Sequence, residues 1–271
     1  MKPATGVFSA ANRLRIGAVV KRAAGAALVL SLGLGGFETF RQYRDTQFID
    51  ELARNVASAA PAGDRRAQVI ALRDFVRANV SYHGAPYSDA ERPFFRATAR
   101  ETIQTGLGYC GEDTRAFINL AAALGIPASR INLYGPTPHV VAMAELGPGE
   151  QVVVDAQNPP QIPDLETLDH AMFGHGYTDY STLNLRRLRV GWLFSRVKLT
   201  IGPLTYVGEN PHAIKAILWF LFAAVLLGLR QGRSVIRYAL HRRGWVHVSS
   251  LPHAREARDT PGSEQNAGGG Q

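Results

Sequence analysis

"GLGYCGEDTRAFINLAAALGIPAS", Gly106 to Ser129, is the stretch on which the fold turns, and it holds the single cysteine of a 271-residue chain. Phe117, Ile118, Leu120, Ala121 and Leu124 recur at helical spacing. They read as a buried helix that stops at Gly125, with Pro127 as the usual follow-on. Cys110 then stands where that helix begins, and there the unpaired backbone N–H groups and the helix dipole favour an anion. A thiol so placed is a candidate nucleophile. The bland alternative is a small buried hydrophobe, but the neighbours are glycines and the carboxylates of Glu112 and Asp113 rather than apolar side chains. One cysteine excludes an internal disulfide framework and a zinc site built on several thiolates.

Downstream, "RINLYG" reads as a strand. "HVVAMAEL" and "QVVVD" flank "GPGE", a hairpin with a Pro/Gly turn. A helix against an antiparallel sheet is an α+β arrangement. In an antiparallel pair the start of one strand lies beside the end of the next, so the hairpin makes neighbours of His139 and Asp155. A nucleophilic thiol needs a base, and the base an orienting group. Cys110, His139 and Asp155 supply that relay, with Asp155 expected to accept the Nδ1–H of His139. On this reading Asp155→Asn costs activity and leaves the melting temperature nearly unchanged. Tyr109 is a candidate to line the acyl site. His170 and His175, with Asp169 and Asp179 nearby, lie on an irregular stretch and are not taken as metal ligands; no metal and no other cofactor is expected.

Upstream, Asp64 fits the N-cap of "RRAQVIALRDFVRANVSY", in which Val69, Leu72, Phe75, Val76 and Val80 form one apolar stripe. Residues 84–98, with Pro86 and Pro93, read as a loop. Phe37–Ala60 has loosely helical apolar spacing and ends at "PAGD".

The formal charge of +8 would suit a nucleic-acid binder, so its placement matters. Residues 1–37 carry five Lys/Arg and no acid, 38–212 carry 17 basic against 19 acidic side chains, and 230–243 adds five arginines and no acid. The excess thus lies in two flanks, each beside an apolar segment, "AAGAALVLSLGLGGF" (Ala23–Phe37) and "AILWFLFAAVLLGL" (Ala216–Leu229). With flanking residues both reach the length of a membrane span, and Lys/Arg kept on the cytoplasmic side orients them. A cleaved signal peptide is the alternative for the first, but "GLGGFETF" lacks the small-residue cleavage pattern. The expected organisation is a cytoplasmic N-terminus (1–15), a first span (16–37), a stalk helix (38–63), a catalytic core (64–160), an accessory juxtamembrane region (161–212), a second span (213–229), and a basic interfacial helix with a disordered cytoplasmic tail (230–271). The core then faces outside the inner membrane, and no nucleic acid is expected as a partner.

"GLGYC" leading into a helix, "LGIPA" closing it, "HVVAMAEL" opening at a histidine and "VVVDAQNP" ending at an aspartate resemble the transglutaminase-like core of the papain-fold cysteine enzymes. "ALRDFVRANVSY" resembles the helix that precedes it. The resemblance covers roughly residues 66–159. It implies Cys110 as nucleophile, His139 as general base and Asp155 as orienting carboxylate, acting on amide bonds through a thioester in hydrolysis or acyl transfer. It further implies Gln104, six residues before the cysteine, as an oxyanion candidate beside the Cys110 N–H. A peptide or protein of the cell envelope is the expected substrate. The rival reading is a non-catalytic module of the same fold in an envelope or polysaccharide-export assembly.

Overall fold

A computed structural model describes residues 10–82, 97–182 and 207–245. The helix expected after Asp64 is α2 (Arg65–Asn79). The Asp64 carboxylate accepts from Ala67 N at 2.9 Å, satisfying one of the donors a helix start leaves unpaired. Val69, Leu72 and Val76 of its stripe are buried. Before it, one helix, α1 (Ala10–Ala57), runs through the first apolar segment and the stalk without a break.

Residues 83–96 of the expected loop lie outside the described residues. The loop's end starts a helix that the apolar spacing does not announce, α3 (Ala99–Thr105). It is too short to show a period and is held by its cap. Thr98 Oγ1 accepts from Glu101 N at 3.1 Å while Glu101 Oε2 accepts from Thr98 N at 2.9 Å. Strands β1 (Ser81–Tyr82) and β2 (Leu107–Gly108) then pair in parallel, Tyr82 opposite Gly108.

Cys110 is the first residue of α4 (Cys110–Ala123). The expected strand and hairpin follow as β3 (Ala128–Tyr134), β4 (His139–Gly147) and β5 (Glu150–Val154). The segment that resisted a periodic reading supplies α5 (Leu168–Phe173) and a short strand β6 (Asp179–Ser181). The four strands form one antiparallel sheet in the order β5-β4-β3-β6.

Alternation along the strands divides the apolar side chains between two faces. Ala142, Ala144, Val152 and Val154 join Phe117, Leu120, Val69, Leu72 and Val76 in the main core beneath α4 and α2. Val141, Val153, Ile131 and Leu133 point the other way, where Ile162, Ala171, Met172 and Tyr177 cover them. The fold is thus α+β with a helix-covered antiparallel sheet, and the region after residue 160 closes its second face.

The last described helix, α6 (Pro211–Arg242), carries the second apolar segment and continues through the arginine-rich stretch. Both α1 and α6 contain a segment long and apolar enough to cross a membrane. Leu218, Leu221, Phe222, Val225 and Leu229 of α6, and Val29 and Leu30 of α1, are exposed rather than packed in a core. By contact the chain divides into two units, residues 32–220 and residues 1–31 with 221–271. Residues 183–206 of the expected juxtamembrane region, and the tail after residue 245, lie outside the described residues.

Candidate active site

The chain enters α4 through Tyr109, whose backbone is extended (φ −95°, ψ 170°). Its carbonyl accepts from Glu112 N and Asp113 N at 2.8 and 3.0 Å, which closes the first turn. Cys110 therefore sits on the first helical turn, half-buried, as a free thiol. Two ties fix this end of the helix against the sheet. Thr114 Oγ1 donates to Val140 O at 3.0 Å, next to the start of β4, and Arg130 of β3 donates to Gly111 O at 2.8 Å. Gly108 is required by close approach, because a Cβ there would stand 2.5 Å from Asp113 Oδ1.

His139 opens β4 and is buried, and Asp155 follows the last residue of β5 and is fully buried. Their side chains meet with His139 Nε2 3.0 Å from Asp155 Oδ2. The nitrogen differs from the expected Nδ1. The hairpin sets the two residues on a diagonal, so the distal nitrogen reaches the carboxylate and Nδ1 stays near the ring's own backbone. Nδ1 is buried without a hydrogen bond of ordinary geometry. Burial works against the charged imidazole, but hydrogen bonding and charge from Asp155 and Cys110 outweigh it and push the His139 pKa up to about 9. That influence marks Cys110 as a neighbour of the ring.

Asp155 also organises the chain around it. Oδ1 accepts from Gln157 N at 3.1 Å, and Oδ2 accepts from Gln161 N at 2.7 Å and Ile162 N at 3.3 Å. The Asp155 carbonyl accepts from Arg77 Nε and Nη2 at 3.0 and 2.6 Å, and Arg77 in turn pairs with Asp164 at 2.9 Å.

Of the other expected site residues, Tyr109 is 40% exposed and meets Tyr82 edge-on, ring centroids 5.7 Å apart. Gln104 lies on the exposed side of α3, where its Oε1 accepts from Arg100 Nε at 3.3 Å; the structure does not gather it with the buried cluster.

Several charged groups at the site carry no local signal in the sequence. Asp113, one turn beyond Cys110, is buried with both oxygens unpartnered among the described residues. Burial first, then the charges of Glu112 and Asp155, push its pKa up to about 8 against the opposing pull of His139. Glu209, just before α6, is buried and forks onto the Arg130 guanidinium, with Arg115 Nε 3.3 Å away. Burial would raise the Glu209 pKa, but the two arginines outweigh it and hold the carboxyl below its usual range. Their sequence separation hides this cluster from any window-based reading.

The arrangement is a thiol at a helix start near a buried, hydrogen-bonded His–Asp pair held by the β4–β5 hairpin. Residues 50–156 match the family model of the transglutaminase-like superfamily. No curated relative matches the chain. Among solved structures, a candidate cysteine protease from Cytophaga hutchinsonii is similar at 20% identity and a TM-score of 0.36, over 50% of this chain and 49% of that one. A candidate protease from Parabacteroides distasonis is similar at 14% identity and a TM-score of 0.36, over 47% of this chain and 26% of that one. The chain thus spans about half the length of the first and about a quarter of the second.

Proposed function

We propose that the chain is a membrane-anchored cysteine enzyme whose core faces outside the cytoplasmic membrane and acts on amide bonds of envelope peptides or proteins. The observation that carries this reading is the placement of Cys110 on the first turn of α4 beside an imidazole bonded to buried Asp155. An imidazolium and a helix start both favour the thiolate. The thiolate attacks the carbonyl carbon, a C–S bond forms, and the π pair moves onto oxygen, which the Cys110 N–H stabilises. The C–N bond then breaks as His139 gives its proton to the leaving nitrogen, and a thioester remains. Water or an amine attacks the thioester, His139 takes up the proton, and the thiolate departs.

The lone cysteine makes the test direct. The full chain in detergent should be alkylated by iodoacetamide at pH 6–7 at least tenfold faster than a free thiol of pKa about 8.5. His139→Ala should abolish the advantage. Equal rates in the two proteins would remove His139 from the relay and favour a non-catalytic binding module. Confinement of the basic excess to the two flanks supports cytoplasmic termini; a reporter active only in the cytoplasm, fused after residue 150, should be silent.

A further inference from the structure

Glu209 stands outside the segment that matches the transglutaminase-like family, yet it closes the charge network on the nucleophile's helix. It lies two residues before α6 begins at Pro211. There it forks onto Arg130, whose Nη2 also donates to Gly111 O at 2.8 Å, and stands 3.3 Å from Arg115 Nε. Gly111 follows Cys110, so one guanidinium ties the first turn of α4 to the segment that opens α6. Burial works against the charge of Arg130, but Glu209 outweighs it, with Glu112 and Cys110 adding in the same sense, so the guanidinium stays charged. A buried cation stripped of its carboxylate is strongly disfavoured. Glu209 is therefore what keeps Arg130 on Gly111 O.

Glu209 is in turn held through α1. Glu38, Gln42 and Asp45 recur at steps of four and three, one stripe along that helix. Gln42 Nε2 donates to Asn210 Oδ1 at 3.0 Å. His212 lies between two carboxylates of the stripe, with Nδ1 2.5 Å from Glu38 Oε2 and Nε2 3.8 Å from Asp45 Oδ2. Asp45 also meets Arg100 of α3 at 3.7 Å. Glu209, Asn210 and His212 are all buried, where water does not replace a partner that moves away. Every residue of this path falls in the 32–220 unit.

We propose that Glu209 is a positioning residue for Cys110, and that the seating of α6 on α1 through Asn210 and His212 sets the reactivity of the thiol. The proposal rests on Cys110 as the nucleophile. It makes the start of α6 part of the catalytic unit rather than a tether alone, and a displacement of α6 against α1 is felt at Gly111 O. The chain runs continuously from Glu209 to His212, so whatever moves the first turn of α6 moves the carboxylate that holds Arg130.

Iodoacetamide alkylation of the full chain in detergent, followed as a function of pH, tests this. Glu209→Gln should slow alkylation at pH 7. Gln42→Leu and His212→Leu leave Glu209 and Arg130 untouched, yet each should slow it roughly 3- to 10-fold, the scale of one hydrogen bond. In all three the pH curve of alkylation should move to higher pH, because the thiolate loses a fixed cation. Adding His212→Leu to Glu209→Gln should slow the reaction by less than about twofold more, since residues on one path are not additive. Asp64→Ala removes the α2 cap away from this path and should alkylate within about twofold of wild type. The proposal is overturned by wild-type rates and pH curves in Gln42→Leu and His212→Leu, by multiplying effects in the double variant, or by equal slowing in Asp64→Ala, which would assign the loss to general destabilisation. Each of these leaves the nucleophile standing. Should Glu209→Gln not fold, Gln42→Leu and His212→Leu decide by themselves. A wild type no more reactive than a free thiol removes the nucleophile and the proposal together.

Discussion

Asp155→Asn keeps the size of the side chain and removes its charge, and the cost follows from the four hydrogen bonds the carboxylate accepts. Three donors converge on Oδ2, from His139, Gln161 and Ile162, and one, Gln157 N, on Oδ1. An asparagine that keeps its oxygen at the Oδ2 position turns its NH2 toward Gln157 N–H, donor against donor. Hydrogen bonds to a charged group contribute about 1.5–3 kcal/mol each, and the three that survive weaken with the charge. Holding the His139 pKa near 9 rather than 6.5 corresponds to about 3 kcal/mol, shared between Asp155 and Cys110. The expected loss is therefore about 2–4 kcal/mol at pH 7. This replaces the expectation, drawn from the sequence, of an unchanged melting temperature: the carboxylate that orients the histidine also holds residues 157–162.

The pH dependence then identifies the role of the charge. A raised histidine pKa contributes stability that is fully present below about pH 6.5 and is lost as pH rises through about 9. The stability gap between wild type and Asp155→Asn should accordingly be widest near pH 6 and narrow by pH 10. Chemical denaturation of the full chain in detergent at pH 6, 8 and 10 measures it, and iodoacetamide alkylation at pH 7 should fall at least tenfold in the same variant. A gap that is flat with pH, or a variant that alkylates at the wild-type rate, would refute the argument.

Two further outcomes follow from the buried charges. Glu209→Gln leaves Arg130 and Arg115 facing a neutral amide and should destabilise the 32–220 unit by about 3 kcal/mol, read by denaturation and accompanied by slower alkylation, because Arg130 also holds Gly111 O. Asp113, with its pKa raised to about 8, favours the folded state least once pH exceeds that value; Asp113→Asn should therefore flatten part of the wild-type fall in melting temperature between pH 6 and 9, and an unaltered slope would show that Asp113 is ionised throughout.

Local patterns determined a good deal. The apolar spacing of Phe117 to Leu124, the stop at Gly125, the Asp64 cap and the "GPGE" turn each act within a few residues, so α4, α2 and the β4–β5 hairpin are legible from the sequence. The hairpin alone makes His139 and Asp155 neighbours, because antiparallel pairing is geometric. Which ring nitrogen meets the carboxylate was not legible, since it depends on the diagonal offset of two strand ends. Nor was α3, whose seven residues are stabilised by a cap rather than by a period. The Arg130–Glu209 pair spans 79 residues, and Tyr177 covers the second sheet face from a stretch with no clean periodicity. Such contacts exist only in the packed whole, where burial makes an unpaired charge costly. Tertiary structure therefore decided which polar groups surround Cys110, while the sequence determined the helix and hairpin that hold them.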